Sequence, residues 1–213
     1  MEPIIKTFAL GAFQTNAYLV KNQATGEAVV FDPGMEPDEL LAALAHENVV
    51  AILLTHAHLD HIGGLNDVRK LTGAPVYIHP LEQSWLTDPE LNGSARWSNM
   101  TAPIRCERAE HELADGQTLE LAGFTIQVMH TPGHSPGSCS FVIGQHCFGG
   151  DVLFAQSIGR TDLPGGNYET LMESIQDKLL ELDDATIVYP GHGPKTTIEM
   201  EKMYNPFVTG LLR

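Results

Sequence analysis

The run Val49-Val50-Ala51-Ile52-Leu53-Leu54 passes directly into Thr55-His56-Ala57-His58-Leu59-Asp60-His61, and the join between the two pieces decides how the rest of the chain is read. Six consecutive apolar residues predict a strand covered on both faces, as in sheets with helices packed outside them. The polar segment begins where the strand ends, so its side chains are delivered to a sheet edge, where α/β folds assemble their sites. Residues two apart in extended backbone project to the same side, so His56 and His58 can grip one cation. Asp60 and His61, beyond the turn, can face a second.

The same join recurs three times. An apolar run at residues 126–131 leads through Pro132-Gly133 to His134; residues 147–150 lead to Asp151; residues 186–189 lead through Pro190-Gly191 to His192. Glycine, proline or threonine stands at or beside each junction, which lets the backbone turn sharply and aim a side chain across the edge. A lone histidine is commonly a satisfied core or turn residue, but ligand-type residues on four strand ends form a pattern that points to metal binding. His130, four residues before His134 inside a strand, is expected to support ligands or the core rather than to bind metal, and His79 is a similar case. His46, His111 and His146 sit in polar surroundings and receive no role.

Outward from these joins, short β-type runs at residues 4–10, 17–21 and 28–31 end at the turn signal Asp32-Pro33-Gly34. Pro37, acidic Asp38 and Glu39, and Leu40, Leu41 and Leu44 at helical spacing predict a helix. A helix after His61 to about Leu71, a strand at 75–78 and a short helix near 81–86 follow. Residues 87–102 are polar and turn-rich, a surface excursion expected to border a site. The second half repeats the theme, with strands at 118–121, 124–129, 139–143 and 147–148, then an apolar helical stripe from Tyr168 to Leu182. A strand at 187–189 and a helix opened by the capping pattern Thr196-x-x-Glu199 complete it. Strands followed by helices in both halves predict a four-layer αββα sandwich built as one domain over residues 1–213.

The formal net charge is −15, with 12 basic against 27 acidic residues. Such a far field repels phosphate backbones and anionic lipid, which argues against nucleic acid or a membrane as partner. Bound divalent cations would reverse that field locally. The N-terminal residues show neither a signal-peptide pattern nor an apolar run of membrane-spanning length, and Cys106, Cys139 and Cys147 lack CxxC spacing, so a cytoplasmic protein with reduced, buried thiols is expected.

His56-x-His58-x-Asp60-His61, followed by His134, Asp151 and His192, resembles in order and type the dinuclear metal signature of the metallo-β-lactamase superfamily, over most of the chain. The resemblance implies that His56, His58 and His134 bind one ion, that Asp60, His61 and His192 bind the other, and that Asp151 bridges both. It also implies that Asp60 orients a metal-bridging hydroxide and helps relay its proton. Within the superfamily the sequence is most similar to short bacterial type II glyoxalases, the hydroxyacylglutathione hydrolases. This rests on Gly159-Arg160-Thr161-Asp162-Leu163-Pro164-Gly165-Gly166, Thr131-Pro132-Gly133-His134-Ser135-Pro136-Gly137-Ser138, Tyr189-Pro190-Gly191-His192-Gly193-Pro194 and Asn205-Pro206-Phe207. The implied function is hydrolysis of a small-molecule acyl thioester with two divalent ions, zinc expected and iron or manganese compatible with the same ligands. Arg160 falls where longer glyoxalases carry a basic residue contacting a glutathione carboxylate. Those enzymes follow the last histidine with Glu-Tyr, where this chain has Gly193-Pro194, so the resemblance does not fix the thiol carrier. A persulfide dioxygenase with mononuclear iron and a lactonase of the same fold are the alternative readings. The first normally carries Pro-Ala-His-Asp-Tyr at the last motif.

Overall fold

The ring of Phe31 lies flat on that of Phe148, with centroids 4.3 Å apart and planes 7° from parallel, and this contact joins two six-stranded sheets. The computed structural model describes residues 2–212; Met1 and Arg213, the ends of the expected domain, lie outside the described residues. The first sheet runs in chain order through β1 (Ile4–Leu10), β2 (Thr15–Lys21), β3 (Glu27–Phe31), β4 (Asn48–Leu53), β5 (Val76–Ile78) and β6 (His111–Glu112). Its first three strands are antiparallel and the remaining pairings parallel.

The second sheet holds β7 (Thr118–Leu121), β8 (Phe124–His130), β9 (Cys139–Ile143) and β10 (His146–Gly150). After the small hairpin of β11 (Leu153–Phe154) and β12 (Ser157–Ile158), it is extended by β13 (Ile187–Pro190) and β14 (Thr196–Thr197), in the order β14-β13-β10-β9-β8-β7. β13 lies parallel to β10. The parallel pairs β3–β4 and β10–β13 therefore send their C-terminal ends, with the residues that follow, to a common edge.

Alternation along the strands, shifted in β4 by a bulge at Val50, sorts the side chains into three cores. Ala51 and Leu53 of β4 join Phe124, Ile126 and Val128 of β8 between the sheets. Val49 and Ile52 face outward to Leu40 and Leu44 of α1 (Asp38–Leu44) and to Leu65 and Val68 of α3 (Leu65–Thr72). Val142, Cys147 and Val188 face the other way, to Leu171 and Met172 of α4 (Tyr168–Ser174) and Ile198 of α5 (Ile198–Tyr204). Three cores between four layers make the αββα sandwich.

Several expectations change in detail. The helix expected after His61 starts at Leu65, as α3, and Gly63-Gly64 part it from a separate short helix, α2 (Leu59–Ile62). A side chain at either glycine would collide with Met35 or Pro37. The stripe from Tyr168 continues past α4 as one wider turn, Ile175–Leu179. The short helix near 81–86 reduces to a 3-10 turn at Pro80–Glu82. The cap of α5 is Thr197, whose hydroxyl accepts from the Met200 amide at 3.2 Å, because Thr196 donates its own hydroxyl to Glu201 at 2.6 Å. The three cysteines are buried and unpaired, and burial pushes the thiols of Cys106 and Cys147 up to about 11 and about 12. Among the described residues, no helix is long and apolar enough to cross a membrane.

Candidate metal centre

His56, His58, Asp60, His61, His134, Asp151 and His192 meet at the common edge of the two sheets. His58 Nδ1 lies 2.8 Å from His134 Nε2, which lies 3.2 Å from His56 Nε2. Three nitrogens around one tetrahedral ion at about 2.0–2.1 Å would stand about 3.3 Å apart. On the other side, Asp60 Oδ2 lies 3.2 Å from His192 Nε2 and 3.5 Å from His61 Nε2. Asp151 sits between: Oδ1 is 3.4 Å from His61 Nε2, and Oδ2 is 3.5 Å from both His134 Nε2 and His192 Nε2.

Four of the five imidazoles are oriented from behind, as ligating histidines require. His134 Nδ1–H donates to the Arg160 carbonyl at 2.8 Å and His192 Nδ1–H to the Phe13 carbonyl at 3.1 Å. His61 Nδ1–H donates to Asp32 Oδ2 at 3.0 Å, and His56 Nδ1 meets Thr55 Oγ1 at 3.0 Å. All four present Nε2 to the cluster, while His58 presents Nδ1. His61 Nε2 and Asp151 Oδ1 are buried without a hydrogen-bond partner among the described residues. Unpartnered buried polar atoms cost about 1–3 kcal/mol each; facing a cation, both are satisfied. The donor set fits two divalent ions.

The groups differ in charge. Burial, then repulsion from the neighbouring imidazoles, holds His56 well below the usual histidine range and His58 down to about 3, and burial also lowers His134. These three are neutral and ready to coordinate. Burial acts in the same direction on His61 and His192, but Asp60 and Asp151 outweigh it, raising His61 well up and His192 to about 9. Burial would raise the two carboxyls; His61 and His192 override it, holding Asp60 at about 2 and Asp151 well below its usual range.

The loops are laced together by residues whose part was not visible in the chain. Asp32, read as a turn signal, is buried, with a φ of +45°, and accepts from the Thr55 amide, the Thr55 hydroxyl and His61. Its position at the end of an apolar strand, like the four other joins, was the available signal. Glu82 is fully buried and accepts from the Ala57 amide, the Ser135 hydroxyl and the Gly137 amide, tying the His56–His58 loop to the His134 loop; nothing local marks it. Thr15 donates its hydroxyl to Asp60 Oδ2 at 2.8 Å. Gly191 is required by close approach, since a Cβ there would lie 2.1 Å from Asp151 Oδ1. His130 and His79 stack on each other, 4.0 Å between centroids, outside the cluster. His146 pairs with Tyr189, and His111 stacks on Tyr77.

Over the cluster opens a cavity of about 360 Å³ with largely apolar walls that include Phe13, Leu91, Trp97, Phe154, Ile158 and Leu163. The excursion at 87–102 supplies one rim, from Glu90 to Trp97. Arg160 lines another, its guanidinium paired with Asp162.

The family model described as Metallo-beta-lactamase superfamily matches residues 10–192. The probable metallo-hydrolase YqgX of Bacillus subtilis (strain 168) is 42% identical over 94% of this chain and 95% of its own. The hydroxyacylglutathione hydrolase GloC of Haemophilus influenzae is 37% identical over 96% of this chain and 97% of its own. Among solved structures, the B3 metallo-beta-lactamase BLEG-1 superposes with a TM-score of 0.92 at 48% identity, covering 97% of this chain and 100% of that one. TTHA1623 in a di-iron-bound form superposes with a TM-score of 0.82 at 40% identity, with the same coverage of both chains.

Proposed function

The chain belongs to the metallo-beta-lactamase superfamily, and from that premise we propose that it is a dinuclear metal-dependent hydrolase that cleaves small acyl thioesters. The observation that carries the reading is the placement of Asp151, whose Oδ2 lies 3.5 Å from a nitrogen of each cluster, His134 Nε2 and His192 Nε2, while its Oδ1 faces His61 Nε2, a position suited to a ligand shared by two ions. His56, His58 and His134 then hold one ion, Asp60, His61 and His192 the other. Zinc suits this set; iron is the second candidate, because TTHA1623 is described in a di-iron-bound form. Bound there, two divalent ions would supply hydroxide near neutral pH, from water whose pKa falls from about 15.7 towards 7, and would polarise a carbonyl oxygen.

The chain's own residues do the rest. Asp60 stays ionised at neutral pH, and the Thr15 hydroxyl fixes its Oδ2, so the carboxylate is held to orient the attacking water and take its proton. Phe13, Phe154, Ile158 and Leu163 give the acyl chain an apolar wall, and Arg160 stands at the substrate's edge. A thiol with a pKa of about 8.5 leaves as thiolate without a strong general acid, which suits a site whose buried carboxyls are held ionised. The name of the Haemophilus relative, a hydroxyacylglutathione hydrolase, supports the thioester class.

β-Lactam hydrolysis is the second reading, favoured by the 48% identity to BLEG-1. The deciding experiment is elemental analysis of the purified protein joined to a hydrolysis assay over thioesters, lactones and β-lactams. Two metal equivalents with thioester turnover that tracks metal content are expected. One equivalent, or turnover confined to β-lactams, would overturn the thioester reading.

A further inference from the structure

The cavity above the metal centre contains a cation that the proposed chemistry does not use. Two guanidinium groups line that cavity, Arg96 and Arg160. Arg160 is engaged on both sides of its fork, Nε donating to Asp162 Oδ1 at 2.7 Å and Nη2 to Asp162 Oδ2 at 2.8 Å. Arg96 makes no side-chain hydrogen bond or ion pair among the described residues, not even with Glu90 on the same rim. In a chain of net charge −15, with more than twice as many acids as bases, an arginine left without a carboxylate in the substrate cavity is conspicuous.

Its backbone is held in place. Arg96 lies on the 3-10 turn Ser94–Trp97, where its amide donates to the Gly93 carbonyl at 3.0 Å. Asn92, fully buried, ties the base of that turn down. Its side chain donates to the carbonyls of Trp85 and Ile104 and accepts from the Ser94 amide, all at 3.0 Å. Its carbonyl accepts from the amide of Leu59, next to His58, at 2.9 Å. Trp97 meets the edge of Phe13 with ring centroids 5.5 Å apart. The turn carrying Arg96 is thus anchored both to the metal loop and to the loop before β2, so less entropy is lost when a ligand engages it.

We propose that Arg96 is a specificity-determining residue that pairs with a carboxylate of the substrate remote from the reacting carbonyl, so that the preferred substrates are small anionic thioesters. This deepens the thioester reading and rests on it. A guanidinium fork matches a carboxylate with two parallel hydrogen bonds, a geometry that lysine does not reproduce. The apolar walls take the body of the conjugate between the metal centre and the rim. A cavity of about 360 Å³ stands at the small end of ligand sites, about 300–1,000 Å³, which favours a compact thiol over a nucleotide-bearing one.

The test uses the metal-loaded protein and two thioesters of one acyl group, made on 3-mercaptopropionate and on its uncharged N-methylamide. The wild type is expected to favour the carboxylate through KM, and Arg96→Gln to shrink that preference by about 10- to 100-fold, the range for hydrogen bonds to charged groups. Arg96→Lys is expected to restore part of the preference and Arg96→Glu to reverse it. Arg108→Gln, which removes the same charge from an exposed site away from the cavity, should leave the ratio intact. An unchanged ratio in Arg96→Gln, or an equal loss in Arg108→Gln, overturns the assignment. The second readout is Trp97 fluorescence during titration with the non-hydrolysable thioether of 3-mercaptopropionate. Arg96-dependent binding without turnover of any thioester would sink the thioester reading and keep the carboxylate site. Turnover with no Arg96 dependence in either assay would do the reverse, and neither turnover nor binding would remove both.

Discussion

His61 stands among three carboxylates, with Asp32 behind it and Asp60 and Asp151 in front. Asp32 fixes its tautomer through Nδ1, so Asp32→Asn should weaken metal affinity by about 10- to 100-fold, the usual cost of losing such a partner; competition against a coloured chelator measures it, and unchanged affinity would remove Asp32 from the site. The charge asymmetry predicts more. Without metal, His61 is raised well above its usual value and His192 to about 9, so both carry protons at pH 7, whereas His56, His58 and His134 are lowered and carry none. Ligands must be deprotonated to bind. Loading should therefore release about two protons, and apparent affinity should fall as pH drops below about 9. Calorimetry in buffers of different ionisation heat counts the protons; His192→Ala should halve the number, and no release would contradict the charge assignment. Seven of the converging residues were legible because each follows a recognisable strand end. Glu82 was not, since a carboxylate whose partner Ser135 lies 53 residues away leaves no local trace; Asp32 does follow an apolar strand, but its turn signal masked a bond to Thr55, 23 residues on.

At the level of elements, strand positions were legible to within about two residues because apolar runs bounded by turn residues mark strands buried on one or both faces. β6, β11, β12 and β14, two residues each, are too short to carry a period and exist only through their neighbours. The helices misread at Gly63-Gly64 and beyond Ser174 were decided by contacts with other segments, which periodicity does not contain. Two glycines separate stability from function at this scale. Gly133 has a φ of +130°, and a Cβ there would lie 2.2 Å from the Leu171 amide nitrogen in α4. Gly133→Ala should thus displace α4 and lower the unfolding midpoint. A Cβ at Gly191 meets functional atoms instead, 2.1 Å from Asp151 Oδ1 and 2.7 Å from His61 Cε1, so Gly191→Ala should lose metal and turnover with a smaller effect on the metal-free fold. Thermal melts of the two metal-free variants, beside their metal content, make the comparison; equal losses in both would refute the distinction.

Across the whole molecule, the metal cluster is where the two sheets are tied at their shared edge. His56, His58, Asp60 and His61 follow β4 of the first sheet, while His134, Asp151 and His192 follow β8, β10 and β13 of the second. The sheets already share an apolar core, with Phe31 against Phe148 at its centre, so the fold should survive without metal. Yet His61 Nε2 and Asp151 Oδ1 then remain unsatisfied, and the clustered imidazoles repel one another. Binding that favours only the folded state adds about 2.7 kcal/mol when free ligand is at 100 times its dissociation constant. A chain of this size gains about 2–4 °C per kcal/mol. Chelation should accordingly lower the melting temperature by on the order of 5–10 °C while leaving far-ultraviolet dichroism unchanged. Asp151→Ala should melt near the chelated wild type and gain nothing from added metal. Calorimetric scans with and without chelator supply the measurement. If loaded and stripped protein melted together, the ions would not be linking the sheets through these residues, and the placement of Asp151 between two clusters would lose its meaning.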